Sequence, residues 1–546
     1  MAVLKPRSLL LLLLTATASL PSGFARGESG MSASFGSNGL SKLSYNGDVL
    51  FDEAATPDGV FHLRDFTLSS SGKATQFDAG AVRHRSSWNA AARTLTLWFD
   101  WGAVAVRYSV AAGALRMEVA VSNTTSRQTL EGMNIFPLTL KFPRDPRGFD
   151  GGPQGRFGPN EPGVDVADYG DGAVAVAEED SARPIYSGIL SDNNTAATHR
   201  YLVWLATAPL AWMPTSWPIL HDRIAPGSRA AYHLSLRFGP GGSTETSLAA
   251  DALAAYAAAV PFSVEWPDRR PISMLILASS ALNVHTPNNP RGWFNDRDVD
   301  VMTRWGQFRE RLLDYAFQSI RIMRGMNAQG MITWDVEGEQ YPDASYVGDP
   351  RLTAKLAPEL AAAGLVDQYF AMFRKAGLRV GVTIRPQQIV FVNGVPHQRT
   401  IADPDVEART LEDKIEFARE HWGCTIFYID STDATESPAI LRRVHEKFPD
   451  VLLIPENADL GMYSAGAPFA SLGKDWVATP AWVHAVYPRA FSVIDTSIEG
   501  TASKEADMVQ GVKNGDILFF LGWSEPSELV RRVYREAGAW GVPASR

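Results

Sequence analysis

Acidic side chains close a series of short apolar runs in the C-terminal half of this chain. MITWDVE ends in Asp335 and Glu337, with Trp334 before them and Glu339 just beyond. TIFYIDS ends in Asp430, with Asp433 following, and VLLIPEN ends in Glu456 and Asn457. FSVIDTS carries Asp495, with Glu499 following; LRVGVTIRP carries Arg385, and DILFFLG leads to Trp523 and Glu525. A carboxylate at the end of an apolar strand is costly to bury unless it has a partner or a task. Several aimed at one rim suit the cleavage of a glycosidic bond. That reaction needs one carboxylate as nucleophile or base and a second, with a raised pKa, as proton donor. Trp293, Trp334, Trp476, Trp482 and Trp523 would supply stacking faces for sugar rings. Asn288, Asn289, Arg385, Gln387, Asn457 and His484 would hydrogen-bond hydroxyls. The scheme demands no metal and no cofactor. Each acid also has a purely structural reading: Asp430 would cap a helix or pair with a base such as Arg385, and Glu456 would sit in an ion pair. Asp335 and Glu337 are rivals for the acid's role or binders of hydroxyls.

These residues need a scaffold that brings strand ends together. From about Pro261 onward, near-continuous apolar strands alternate with amphipathic helices, the pattern of a parallel sheet covered on both faces. Seven strands are clear, at 271–279, 331–337, 378–386, 425–431, 451–457, 491–497 and 516–522, and a short one at Trp476–Ala481 (WVATPA) would make eight. Helices are expected near 301–325, 352–375, 404–421, 439–447, 504–512 and 527–536. Over roughly 280 residues this fits a (β/α)8 barrel, whose usual length is ~250 residues and whose active sites form at the C-terminal ends of the strands. An open doubly wound sheet is the alternative, but its Gly-rich phosphate fingerprint is absent.

The N-terminal half reads differently. TLTLWFDW, VAVRYSVA, LRMEVAVSN, YLVWLATA and AAYHLSLRF are short, alternating and turn-punctuated, which predicts an antiparallel β-sandwich. The expected division is a signal peptide at 1–25, the sandwich at 31–238, a linker and helix at 239–265, and the barrel at 266–546. Lys5 and Arg7 precede the apolar run Leu9–Leu14, and SGFARG offers a cleavage site after Ala25. That is the layout of a secretory signal, and the run is far shorter than the ~20 residues of a membrane span. A secreted or periplasmic location is therefore expected.

Composition narrows the partners. The net charge of -9 disfavours a sequence-independent nucleic-acid binder, which needs a basic surface. Cys424, the one cysteine, excludes an intrachain disulfide and reads as a buried, inert thiol. Asp296, Asp298 and Asp300 lack the Gly and the distal Glu of a calcium-binding EF-hand loop and read as a helix start. Carbohydrate is the expected partner, with no membrane span and the oligomeric state open.

The barrel resembles retaining α-glycoside hydrolases: the α-amylase group, the α-galactosidase-like clan and the endo-α-N-acetylgalactosaminidases. GLRVGVTIRP followed by HWGCTIFYIDST is similar to the third- and fourth-strand pattern of the last two. The resemblance implies that Asp430 is the nucleophile. It also implies that Glu456, in LIPEN, is the proton donor ending strand five. In the amylase group an Asp after strand seven stabilises the transition state, and Asp495 in VIDTS matches it. Residues 115–140 are similar to the sandwich that precedes many such barrels. One departure is local: Tyr428 stands where the amylase group has Arg and the α-galactosidases have Lys. The expected activity is hydrolysis of an α-linked glycan, with Asp335, Glu337, Arg385, Asp495, Trp334, Trp523 and Asn457 binding substrate. An inverting hydrolase, a non-catalytic glycan-binding protein and a structural envelope protein are the competing readings.

Overall fold

The computed structural model describes residues 30–55, 61–71, 73–146, 164–180, 186–191, 199–206, 222–279, 281–339, 347–401, 403–430, 438–456, 460–470, 478–497, 504–523 and 526–541. The expected signal segment lies outside them, as do Asp433, Asn457, Trp476, Glu499 and Glu525.

Three antiparallel sheets form the N-terminal half. A seven-stranded sheet runs Val164–Asp168, Gly172–Glu178, Arg229–Pro240, Ala114–Asn123, Gly102–Ala111, Thr94–Phe99, Arg85–Asn89. A five-stranded sheet runs Tyr186–Ser191, Arg200–Ala206, Thr129–Lys141, His62–Ser70, Lys73–Asp78. A small three-stranded sheet covers 31–52. Alternation explains the packing. In Ala114–Asn123 every second side chain, Leu115, Met117, Val119 and Val121, is buried, and these meet Leu68, Leu130 and Leu138 of the facing sheet.

The last sandwich strand extends to Pro240, past the start of the expected linker. The helix Glu245–Ala259 follows, capped by the Thr244 side chain on Ser247. Its Ala249, Leu253 and Tyr256 lie between Ala175 and Ala177 of the sandwich and Leu460, Tyr463, Val483 and Tyr487 of the C-terminal half. The Tyr487 hydroxyl donates to the Val260 carbonyl at 2.6 Å and so ties the helix end to the barrel.

The C-terminal half is a nearly closed eight-stranded parallel barrel, a TIM-type fold. In chain order its strands are Ile272–Ile276, Gly330–Trp334, Val380–Ile384, Cys424–Ile429, Leu452–Pro455, Phe469–Ala470, Val493–Asp495 and Ile517–Leu521. The first strand pairs with both the second and the eighth. Among the described residues no strand pairing joins the fifth and sixth, but the Ala467 amide donates to the Leu453 carbonyl at 2.9 Å across that seam.

Period-2 alternation sorts the strand residues. Ile332, Trp334, Ile426, Tyr428, Leu452, Ile454, Val493, Ile517 and Phe519 fill the barrel interior. Val380, Val382 and Ile384 of the third strand belong to the core under the helices, which leaves Gly381 and Thr383 facing inward. A Cβ at Gly381 would stand 2.2 Å from the Ile426 carbonyl oxygen. With small residues on that strand, the rings of Trp334 and Tyr428 from either side approach to 4.7 Å between centroids.

Three expectations need correction. The sixth strand is Phe469–Ala470; of the run expected there, 476–477 lie outside the described residues, 478–480 form no strand, and Ala481 opens a helix behind Pro480, whose ring offers no amide to a ladder. The helix expected at 352–375 is broken into Thr353–Leu356, Pro358–Ala362 and Leu365–Lys375. Pro358 and the left-handed Gly364 (φ 60°) interrupt it. Between the third strand and its helix a hairpin, Gln388–Val392 with Val395–Arg399, appears where no strand was expected. Among the described residues no helix is long and apolar enough to cross a membrane.

Candidate active site

The barrel mouth collects the strand-end acids by the same alternation. Asp430 continues the inward series Ile426 and Tyr428, and Glu456 continues Leu452 and Ile454. The two strands run in parallel register, with Ile429 opposite Pro455, and the Glu456 amide still donates to the Ile429 carbonyl at 3.0 Å. Asp430 and Glu456 are therefore neighbours on adjacent strands, whose backbones are ~4.8 Å apart. Arg385, continuing Gly381 and Thr383, donates through Nε to Asp430 Oδ2 at 2.6 Å. Both partners are nearly buried, so the guanidinium fixes the orientation of the carboxylate.

The second strand contributes the most enclosed acids. Just past its last residue, Trp334, the chain turns at Asp335, a non-glycine residue at φ 56°, and again at Gly338 at φ 76°. Asp335, Glu337 and Glu339 are all buried. Glu337 accepts the Asp349 amide at 2.9 Å, and burial pushes its carboxyl up to about 7. Asp335 and Glu339 face each other. Burial first, and then the neighbouring charge of Glu339, drives Asp335 well above the usual carboxylate range. Burial likewise lifts Glu339 to about 8. Each of the two buried carboxyls therefore holds its proton to a higher pH than a free carboxylate does.

Lys414 ties these walls together. It is wholly buried, donates to the Arg385 and Gln387 carbonyls at 2.6 and 2.8 Å, and lies 3.9 Å from Asp349. Burial lowers its ammonium to about 8. Asp349 is also clamped by Arg351 at 2.7 Å. A single network thus spans the ends of strands two, three and four and the helix Pro404–Trp422. Asp495, on strand seven, is buried and accepts the Ser497 amide at 2.8 Å.

The remaining expected residues divide. Trp334 and Tyr428 form the floor of the interior. Trp523 is half-buried against the barrel core. Trp293 is inside that core against Phe308, and Trp482 lies at the sandwich contact, so neither stands at the mouth. His484 is on the same contact helix, Ala481–Val486. Asn289 braces the loop after strand one by bonding the backbone of Trp293 and Asp296, and the Asn288 carbonyl accepts from Val301. Asp296 pairs with Arg311, and Asp300 caps Met302 and Thr303 ahead of the helix Trp305–Gly325. Cys424 is buried in strand four, and burial raises its thiol far above the ordinary range.

Lys414 and Asp349 were not among the expected site residues. The signal for Lys414 was a cation on an apolar stripe, three residues after Leu411 and four before Ala418, both buried. Asp349 reads from sequence only as a cap before Pro350.

No protein-family profile matches the sequence, and no curated protein matches it. Solved structures of the α-N-acetylgalactosaminidase NagBb from Bifidobacterium bifidum are similar in fold. The match to its GalNAc complex covers 94% of this chain and 92% of that one, at 11% identity and a TM-score of 0.51. The match to its Gal-NHAc-DNJ complex has the same coverage and identity, with a TM-score of 0.52.

Proposed function

We propose that this chain is an exported glycoside hydrolase that cleaves an α-linked sugar with retention of configuration. Asp430 attacks the anomeric carbon. Glu456 protonates the leaving oxygen and then deprotonates the water that releases the sugar. Asp335, Glu337 and Asp495 hold ring hydroxyls, and Arg385 keeps Asp430 aligned for attack.

The observation that carries this reading is the in-register placement of Asp430 and Glu456 on adjacent strand ends, with Arg385 bonded to the first. Retention requires carboxyls ~5–5.5 Å apart, whereas inversion needs ~6.5–9.5 Å to admit a water. Neighbouring strands favour the shorter span. The fold likeness to NagBb makes α-N-acetylgalactosaminides the first substrates to try. Export rests on Lys5, Arg7, the Leu9–Leu14 run and the site after Ala25.

The test is hydrolysis of a panel of α- and β-linked p-nitrophenyl glycosides, with NMR of the first-formed anomer. The expected outcome is turnover of an α-glycoside with an α-anomer product. Asp430→Asn should lower kcat by roughly 10³-fold or more. Full activity in that variant would end the reading.

A further inference from the structure

We infer that Lys414 is a positioning residue for the reaction: it fixes the backbone past barrel strand three so that the Arg385 guanidinium meets Asp430. The inference rests on the hydrolase reading above, in which Asp430 is the nucleophile. The ladder between strands three and four ends with Ile384 opposite Ile429, so Arg385 is held from outside the sheet. Its amide donates to the Gly348 carbonyl at 2.9 Å. Its carbonyl accepts Lys414 Nζ at 2.6 Å, and its guanidinium reaches Asp430 Oδ2 at 2.6 Å.

The same ammonium donates to the Gln387 carbonyl at 2.8 Å. It thus grips the chain on both sides of Pro386, which has no amide with which to anchor this turn. Asp349, 3.9 Å from Lys414 Nζ, is already held by Arg351 on both oxygens, at 2.8 and 2.7 Å. The hydrogen bonds of Lys414 therefore go to the backbone that carries Arg385, and its ion pair with Asp349 is the looser contact.

The place on the helix is an apolar one. Lys414 is wholly buried and shares its face of Pro404–Trp422 with Leu411 and Ala418. A leucine there would extend the stripe without the cost of enclosing an ammonium. Burial lowers that ammonium to about 8, so its neighbours Asp349 and Glu337 do not offset the cost in full. An apolar side chain could not hold the two carbonyls. Supporting groups of this kind keep a reacting side chain within the narrow geometry that attack requires.

The test is a double-mutant cycle of Lys414→Met and Arg385→Met on the full chain, using the α-glycoside that the panel identifies. Rates are taken where circular dichroism shows each variant folded. Lys414→Met should lower kcat at least tenfold and leave KM within twofold. Because the lysine acts through the arginine, the double variant should be no slower than Arg385→Met alone. Losses that multiply, as a general weakening of the fold would give, overturn the inference, and so does an unchanged kcat. Should Lys414→Met not fold, Lys414→Gln, which keeps an NH2 donor, enters the same cycle with the same outcomes deciding. Crystal structures of the parent chain and the lysine variant read the positioning without turnover. The Nε–Oδ2 contact of Arg385 with Asp430 should open beyond ~3.5 Å, past hydrogen-bonding reach. An unmoved Arg385 refutes the inference even in an active hydrolase. A displaced one supports it even if no glycoside is cleaved, in which case only the hydrolase reading falls.

Discussion

The buried carboxyls of Asp335 and Glu339 give the site a second place from which an acid could act. Burial raises both carboxyls, Glu339 to about 8, so they compete with Glu456 as donor on protonation alone. Position separates them, because Glu456 stands beside the proposed nucleophile on the next strand. Removal of a general acid hurts most when the leaving group is basic. Glu456→Gln should therefore cost about 10²–10⁴-fold in kcat/KM on an alkyl or glycan leaving group and little on p-nitrophenolate. Plotting log kcat/KM against leaving-group pKa checks this. If Glu339→Gln steepens the plot and Glu456→Gln does not, the donor belongs to strand two. The residue types at these positions were legible in the sequence, because acids ending apolar runs are conspicuous. Their division of labour was not, since protonation depends on enclosure that no linear spacing reports.

At the scale of elements, the loop after strand two sets the arginine. Gly348 has φ 61°, and a Cβ on it would stand 2.7 Å from Arg385 Cγ and 2.9 Å from the Arg385 nitrogen. The Gly348 carbonyl also accepts that nitrogen's hydrogen at 2.9 Å. Gly348→Ala should cost ~1–3 kcal/mol through strain and displacement, and activity should fall with it as Arg385 leaves Asp430. Gly364 is the control. It has φ 60° but nothing within 4 Å of the added Cβ. Gly364→Ala should lower Tm through backbone strain of ~1 kcal/mol and leave kcat unchanged. Melting curves and kcat on both variants decide the matter; equal activity loss in the two would show that the clash is irrelevant. Strand and helix identities were readable here from periodicity. The two-residue sixth strand escaped because Phe469–Ala470 is too short to show a period, and the broken helix followed from Pro358 and Gly364 acting on an otherwise amphipathic run.

Across the whole molecule, buried acids make stability depend on pH in an unusual direction. Burial raises Glu337 and Asp165 to about 7 and Glu339 and Glu178 to about 8. Unfolded carboxyls titrate near ~4, so the folded chain holds more protons between those limits. That contribution is complete below ~4 and is lost as pH rises through 7 to 8. Lys414 acts oppositely. With its folded value lowered to about 8 against ~10.4 unfolded, stability is regained as pH rises between them. At the acid end Asp268, although burial pushes it up, is held below the ordinary range by Arg270 and Arg379, so protonating it destabilises the fold. Tm should therefore peak near pH ~5, fall toward pH ~8, and level or recover above it. A Glu337→Gln/Glu339→Gln variant should flatten the fall. A Tm that rises steadily from pH 5 to 8 would contradict the assignment of these groups.

Read alone, the sequence determined that a two-layered β domain precedes alternating strands and helices, and which strands end in acids. Those properties live in local periodicity and in the cost of burying charge, both visible along a chain. Only the tertiary structure decided which acids meet. Closure of the barrel placed Asp430 beside Glu456, residues 26 positions apart in sequence, and enclosed the side chains of Asp335 and Glu339. It also brought Lys414 from a helix to the backs of Arg385 and Gln387. Strand register and side-chain enclosure arise from packing between distant segments, and a spacing in one dimension does not encode them.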